Sequence, residues 1–257
     1  MTSEQVTKIL KTVKEAFLNI FFPKRCVYCG KILGYKSNLS ICAQCAEKCM
    51  TREKPLRDFE TKYFDSVLCA SYYERHMRNA ILNFKFHGVT YLAPTFAHIL
   101  LVKLKEDFRF AYADIITSVP LSKARLAKRG YNQSELVARS ASKPLSGKFI
   151  NNLLFKVKEV PPLSKMTAAK RRKAVKNAYK FNNNFDIRGK TVLLIDDIFT
   201  TGATVNECAR ILKLNGAKSV FAMCVCETRR RGLLENDLHK ENFDERKNLH
   251  NSDKRRV

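Results

Sequence analysis

Two adjacent carboxylates, Asp196 and Asp197, follow the apolar run Val192–Ile195, and a short Thr/Gly segment comes directly after them: Thr200, Thr201, Gly202, Ala203 and Thr204. Each part has a chemical use. Two neighbouring carboxylates suit a pair of sugar hydroxyls, each accepting one hydrogen bond. The Thr/Gly segment can turn backbone N–H groups and hydroxyls toward a phosphate, beside the positive end of a helix that starts at Ala203. Gly202 allows the backbone to approach such a ligand closely. Asp and Thr also cap helices with no ligand involved, but the full string from Val192 to Thr204 asks for more than a cap.

A second set of residues points to a metal. Cys26 and Cys29 form one C-x-x-C pair, Cys42 and Cys45 another, with twelve residues between. Each pair puts two thiolates on one side of a tight turn, which Gly30 eases after the first. Four sulfurs at ~2.3 Å make a tetrahedral structural zinc site with no open position, so no catalysis is assigned to it. The segment has few apolar residues, and the metal would supply much of its folding energy. A redox pair is disfavoured, since that motif follows a strand and opens a helix. Cys49 is a fifth thiol that could replace Cys45. Cys69, Cys208, Cys224 and Cys226 lie apart, in apolar contexts.

These sites need elements to hold them. Apolar steps of three and four predict a helix over 4–22, closed by Pro23. Strand-type runs cover Ser66–Tyr73, Asp114–Val119, Thr191–Ile195 and Ser219–Cys226. Helical spacing covers Arg75–Phe86, Ala93–Lys105, Gln133–Ser142 and Ala203–Leu214. Strands alternating with helices predict an α/β domain with a mostly parallel sheet flanked by helices. The expected organisation is an amphipathic helix (1–23), a zinc ribbon (24–50), a linker (51–63), the α/β domain (64–227) and a charged tail (228–257).

The 257 residues suffice for one ordinary domain plus a small satellite. With 45% hydrophobic residues a packed core is expected, and with no Trp its rings are Phe and Tyr. Lys and Arg number 48 against 24 Asp and Glu, a formal charge of +24. Between Lys123 and Lys190 there are 18 basic residues and three acidic ones, Glu135, Glu159 and Asp186. Such an excess suits nucleic acid or phosphorylated ligands. Tyr131, Phe149, Phe155, Tyr179, Phe181 and Phe185 are interspersed and could stack bases, although half are expected in the core. No apolar run approaches the ~20 residues that span a bilayer, and a cytoplasmic protein is expected.

The string from Val192 to Thr204 resembles the phosphoribosyl pyrophosphate (PRPP) motif of type I phosphoribosyltransferases. The stretch Val119–Leu136 (V-P-L-x-x-x-R, then R-G-Y-N-Q), together with Phe84–Gly88 and the cysteine pairs, is similar to the ComF family of ComFC and GntX-like proteins, over about residues 17–226. The resemblance implies a type I phosphoribosyltransferase-like fold behind a four-cysteine zinc ribbon. It implies that Asp196 and Asp197 hold the ribose hydroxyls and that Thr200, Thr201, Gly202, Ala203 and Thr204 wrap the 5-phosphate. Pro120, Leu121 and Ser122 would form the pyrophosphate loop, with Arg125, Arg129 and Lys85 as further contacts and Mg²⁺ accompanying PRPP. The family acts in natural competence, handling single-stranded DNA at the inner face of the cytoplasmic membrane, which implies DNA, other competence proteins and peripheral membrane association as partners. Two other readings stand beside this one: an active phosphoribosyltransferase, moving a pentosyl group to a nucleobase or amine, and a non-enzymatic PRPP-sensing regulator. One segment departs from the family pattern, since Lys170 stands where an acid is usual and Ala174 where Asn is usual, although Arg171 fits.

Overall fold

The computed structural model describes residues 23–34, 37–51, 63–160 and 166–228. The expected N-terminal helix, the linker and the charged tail lie outside these residues, apart from their boundary positions. Seven strands are present among the described residues: β1 (Ser66–Tyr72), β2 (Ile115–Ser118), β3 (Lys148–Phe149), β4 (Leu154–Lys156), β5 (Tyr179–Phe181), β6 (Thr191–Phe199) and β7 (Ser219–Glu227). The helices are α1 (Ala43–Thr51), α2 (Arg75–Phe86), α3 (Ala93–Lys103), α4 (Lys123–Arg129), α5 (Gln133–Ser142), α6 (Ala168–Val175) and α7 (Ala203–Leu214).

Five strands form one sheet in the order β1-β7-β6-β2-β3, every neighbouring pair parallel. Strands β4 and β5 form a separate antiparallel pair. Strand β6 is buried without interruption from Val192 to Asp197, as expected of a central strand covered on both faces. Its side chains alternate between two cores. Leu193 and Ile195 join the first, with Met77, Ile81 and Phe84 of α2, Phe96 and Leu100 of α3 and Val137 of α5. Val192 and Leu194 join the second, with Val205, Cys208 and Leu212 of α7. The domain is thus three layers, helix on sheet on helix.

The cysteine-bearing segment is not a free satellite. Cys26, Val27 and Ile41 are buried in the first core, and the Ser40 N–H donates to Thr95 Oγ1 of α3 at 2.8 Å. Cys69, Cys208, Cys224 and Cys226 are buried, in keeping with their apolar contexts. No described helix is long and apolar enough to cross a membrane.

Candidate functional site

Unequal strand lengths create the site. Strand β2 stays in register with β6 only as far as Ser118 opposite Ile195, after which Pro120 and its neighbours lead the chain away. Strand β6 continues beside β7 to Phe199 opposite Glu227. Asp196 and Asp197 therefore lie beyond the end of β2, where a crevice opens outside the carboxyl ends of the strands. The strand is longer than the apolar run predicts, because hydrogen bonding to β7 carries it through the two acids.

Both acids are buried, Asp196 at 8% exposure and Asp197 at 4%, so their charges need partners. Helix α5 supplies two from its first turn. Ser134 Oγ donates to Asp196 Oδ1 at 3.0 Å and Gln133 Nε2 donates to Asp197 Oδ2 at 2.5 Å. Asn132 fixes that turn: its Oδ1 accepts from the Ser134 N–H at 3.1 Å while its Nδ2 donates to the Val119 carbonyl at 3.0 Å. Asn132 is thus a cap. Lys85, in the last turn of α2, reaches Asp197 Oδ1 at 2.8 Å. Burial and the neighbouring Asp197 charge push the Asp196 carboxyl up to about 7, with the Asp197 N–H, Lys85 and Ser134 opposing.

The Thr/Gly segment joins β6 to α7. Gly202 has φ +74, the left-handed region, and a Cβ there would lie 2.8 Å from the Phe199 ring, so both conformation and space call for glycine. A small pocket is lined by Asp196, Ile198, Phe199 and Thr200 through Val205. Thr201 Oγ1 is buried beside it with no hydrogen-bond partner, as are Ser118 Oγ and Ser122 Oγ at the end of β2 and the start of α4. Orphaned buried hydroxyls at the mouth of a sheet ask for an acceptor that a bound anion would supply.

The residues singled out from the sequence fall into three groups. Asp196 and Thr200, Thr201, Gly202, Ala203 and Thr204 line one pocket. Lys85 and Arg129 gather on the Asp197 side; Arg129 donates to Gln133 Oε1 and stacks over the Phe86 ring at 5.1 Å. Burial pulls its guanidinium pKa down and Asp197 opposes that. Pro120, Leu121 and Ser122 form the loop into α4, and Arg125 donates to the Val160 carbonyl at 2.6 Å. Sequence reasoning assigned no role to Gln133 and Ser134, although a search for partners of two buried acids would have pointed to the polar pair after Asn132. The stacking track is shorter than expected: Tyr179 is buried, Phe149, Phe181 and Phe185 pack against the cores, and the Tyr131 hydroxyl donates to the Phe84 carbonyl. Of the six rings only Phe155 is exposed, at 44%.

The cysteine cluster fits a metal. The sulfurs of Cys26, Cys29, Cys42 and Cys45 all lie within 4.8 Å of one another. A tetrahedron of sulfurs at ~2.3 Å from zinc has edges of about 3.8 Å, and Cys29 Sγ and Cys42 Sγ are 3.8 Å apart. The Cys45 N–H, foremost, brings the Cys42 thiol down to about 7, against its burial, while burial and the neighbouring thiols push Cys45 up. Helix α1, opening at Ala43, carries Cys45. These four residues could hold a zinc ion.

A parallel sheet whose longest central strand carries an acidic pair past its neighbour, facing a phosphate-sized loop, is the arrangement of a phosphoribosyltransferase fold. The family model for the phosphoribosyl transferase domain matches residues 72–252. Competence protein F of Haemophilus influenzae is 28% identical over 228 residues, covering 78% of this chain and 95% of that protein. The DNA utilization protein YhgH of Escherichia coli K12 is 24% identical over 216 residues, covering 79% and 90%. Competence protein ComFC of Streptococcus pneumoniae is 34% identical over 148 residues, covering 58% and 62%. The chain belongs to the phosphoribosyl transferase domain family and, within it, to the ComF group.

Proposed function

We propose that the crevice binds PRPP with Mg²⁺ and that the protein serves natural competence by handling single-stranded DNA in the cytoplasm. One observation carries the ligand assignment: the buried Asp196, next to Asp197, opens onto the Thr200–Thr204 pocket, where Thr201 Oγ1 has no partner. Asp196 and Asp197 would accept from the ribose hydroxyls, and the loop amides at the start of α7 would receive the 5-phosphate. Mg²⁺, when bound, neutralises diphosphate charge. Zinc at Cys26, Cys29, Cys42 and Cys45 would hold the ribbon against α3. The relatives named for competence and DNA utilization support the process. The basic surface supports the DNA, with Lys170, Arg172 and Lys173 exposed on α6 and Lys123 and Lys128 exposed on α4.

Protection against unfolding tests the ligand. PRPP with Mg²⁺ at 100 times its Kd should add about 2.7 kcal/mol to the stability, and replacing both acids by Asn should remove that protection while leaving the zinc content unchanged. An equal shift in the double variant overturns the site. Single-stranded DNA affinity should fall steeply with salt, and weak, salt-insensitive binding counts against the DNA role.

A further inference from the structure

Helix α2 meets both the crevice and the cysteine ribbon. Its last turn carries Lys85, whose ammonium lies 2.8 Å from Asp197 Oδ1, and the Phe84 carbonyl there accepts from the Tyr131 hydroxyl. Its first turn lies on the ribbon. A Cβ on Gly30, the residue after Cys29, would come within 2.6 Å of the His76 ring, so that ring rests directly on the knuckle turn. Between the two ends, Met77, Ile81 and Phe84 share one core with Cys26, Val27 and Ile41 of the ribbon. From His76 to Lys85 the helix rises about 14 Å, at ~1.5 Å per residue.

The start of this helix is not self-supporting. Glu74 precedes it and gives no side-chain hydrogen bond to cap the first turn. Arg75 opens it at φ +44, in the left-handed region that a residue with a side chain enters only at a cost. Such a backbone persists where neighbouring structure dictates it, and the ribbon knuckle is in contact with this turn. The ribbon depends in its own right on the four cysteines, since a segment with few apolar residues takes much of its folding energy from a bound metal.

We infer that α2 works as a strut between ribbon and crevice, so that zinc at the four cysteines and sugar phosphate at the acids strengthen each other's binding. When zinc leaves, the knuckle loosens and the first turn of α2 relaxes. Lys85 then loses its fixed place, and Asp197 loses a partner that orients it toward a sugar hydroxyl. The ribbon thereby sets how tightly the crevice holds its ligand, beyond stabilising its own segment. This rests on the reading of the crevice as a sugar-phosphate site. Coupling of this kind is reciprocal and typically changes an affinity about 5- to 150-fold.

Calorimetric titration of the full chain with PRPP and Mg²⁺ compares the zinc-loaded protein with protein stripped by a zinc-selective chelator that is removed before titration. Stripped protein that still unfolds cooperatively in urea should bind PRPP about 5- to 150-fold more weakly, and one equivalent of zinc should restore the affinity. His76→Ala should keep its zinc and narrow the difference between loaded and stripped forms. A folded, stripped protein with the loaded protein's affinity, or a His76→Ala protein that keeps the full difference, overturns the strut and leaves the crevice reading intact. No PRPP binding by the loaded protein overturns both. Where stripping unfolds the domain, transfer of zinc from the loaded protein to a colorimetric chelator decides instead. Zinc should leave faster than the domain unfolds, and saturating PRPP should slow its release by a similar factor. Release that only keeps pace with global unfolding, or that PRPP leaves unchanged, overturns the coupling.

Discussion

The acidic pair is held in the fold against its own electrostatics, and one substitution should release that cost. Asp196→Asn keeps an acceptor for the Ser134 hydroxyl and the Asp197 N–H while removing the charge. In the folded domain the Asp196 carboxyl is pushed up to about 7 by burial and by Asp197, whereas in the unfolded chain it titrates near ~3.9. Between those values the unfolded state has given up a proton that the folded state retains. Wild-type stability therefore falls as pH rises through this window, by about 1.4 kcal/mol per pH unit, and levels off above the folded value. From about pH 5 to pH 7 this amounts to roughly 2 kcal/mol, because the slope is already halved at the folded value. The Asn variant has no group to titrate there and lacks the slope. Its advantage over wild type should accordingly widen by about 2–3 kcal/mol between about pH 5 and pH 8, or about 5–10 °C in Tm for a domain of this size. Urea unfolding of both proteins across that range measures it. An advantage that stays flat, or shrinks toward high pH, refutes the claim that this carboxyl is strained by burial. The same variant should bind PRPP poorly, the usual exchange of stability against function at a charged site.

Lys85→Met should destabilise the domain by about 2–4 kcal/mol, below the full value for breaking a buried ion pair because the lysine keeps some solvent contact; chemical denaturation at neutral pH checks it. Gly202→Ala should cost at least about 1–2 kcal/mol for its left-handed backbone, plus whatever the Phe199 ring demands in moving aside, read as a lower Tm and a weakened response to PRPP. Chelation should release one zinc per chain and lower the Tm, and Cys45→Ser should be purified with less than half an equivalent of metal, both read by elemental analysis and melting curves. Replacing Arg172 and Lys173 by Ala should reduce the salt slope of single-stranded DNA binding by about 1.4, at roughly 0.7 per charge; an unchanged slope places the DNA elsewhere.

The longer elements were legible because their patterns are. Arg75–Phe86, Gln133–Ser142 and Ala203–Leu214 begin and end where apolar spacing puts them. Helix α3 stops two residues short of its expected end, at Lys103, tightening into a 3-10 turn over Leu104–Glu106. Strand β6 outran its apolar run because partnership with β7, invisible in composition, holds the acids in the sheet. Helix α6 escaped notice because it has no apolar stripe: Ala168–Val175 is mostly Ala, Lys and Arg, good helix formers, started by Thr167 accepting from the Lys170 N–H at 3.4 Å. Helix α4 buries no side chain, and β3, β4 and β5 are two or three residues long, too short for alternation to show. In the site, the acids and the Thr/Gly loop were visible as local strings. The partners Gln133 and Ser134 depend on tertiary approach, and no spacing rule links residues 62 or 64 positions apart.

The central claim is that the crevice beyond β2 holds PRPP through Asp196, Asp197 and the Thr200–Thr204 loop. Isothermal titration of the full chain with PRPP and Mg²⁺ addresses it most directly. Saturable heat at one ligand per chain is expected, abolished when both acids are replaced by Asn. A wild type that takes up no PRPP, or a double variant that binds it as tightly as the wild type, would contradict it.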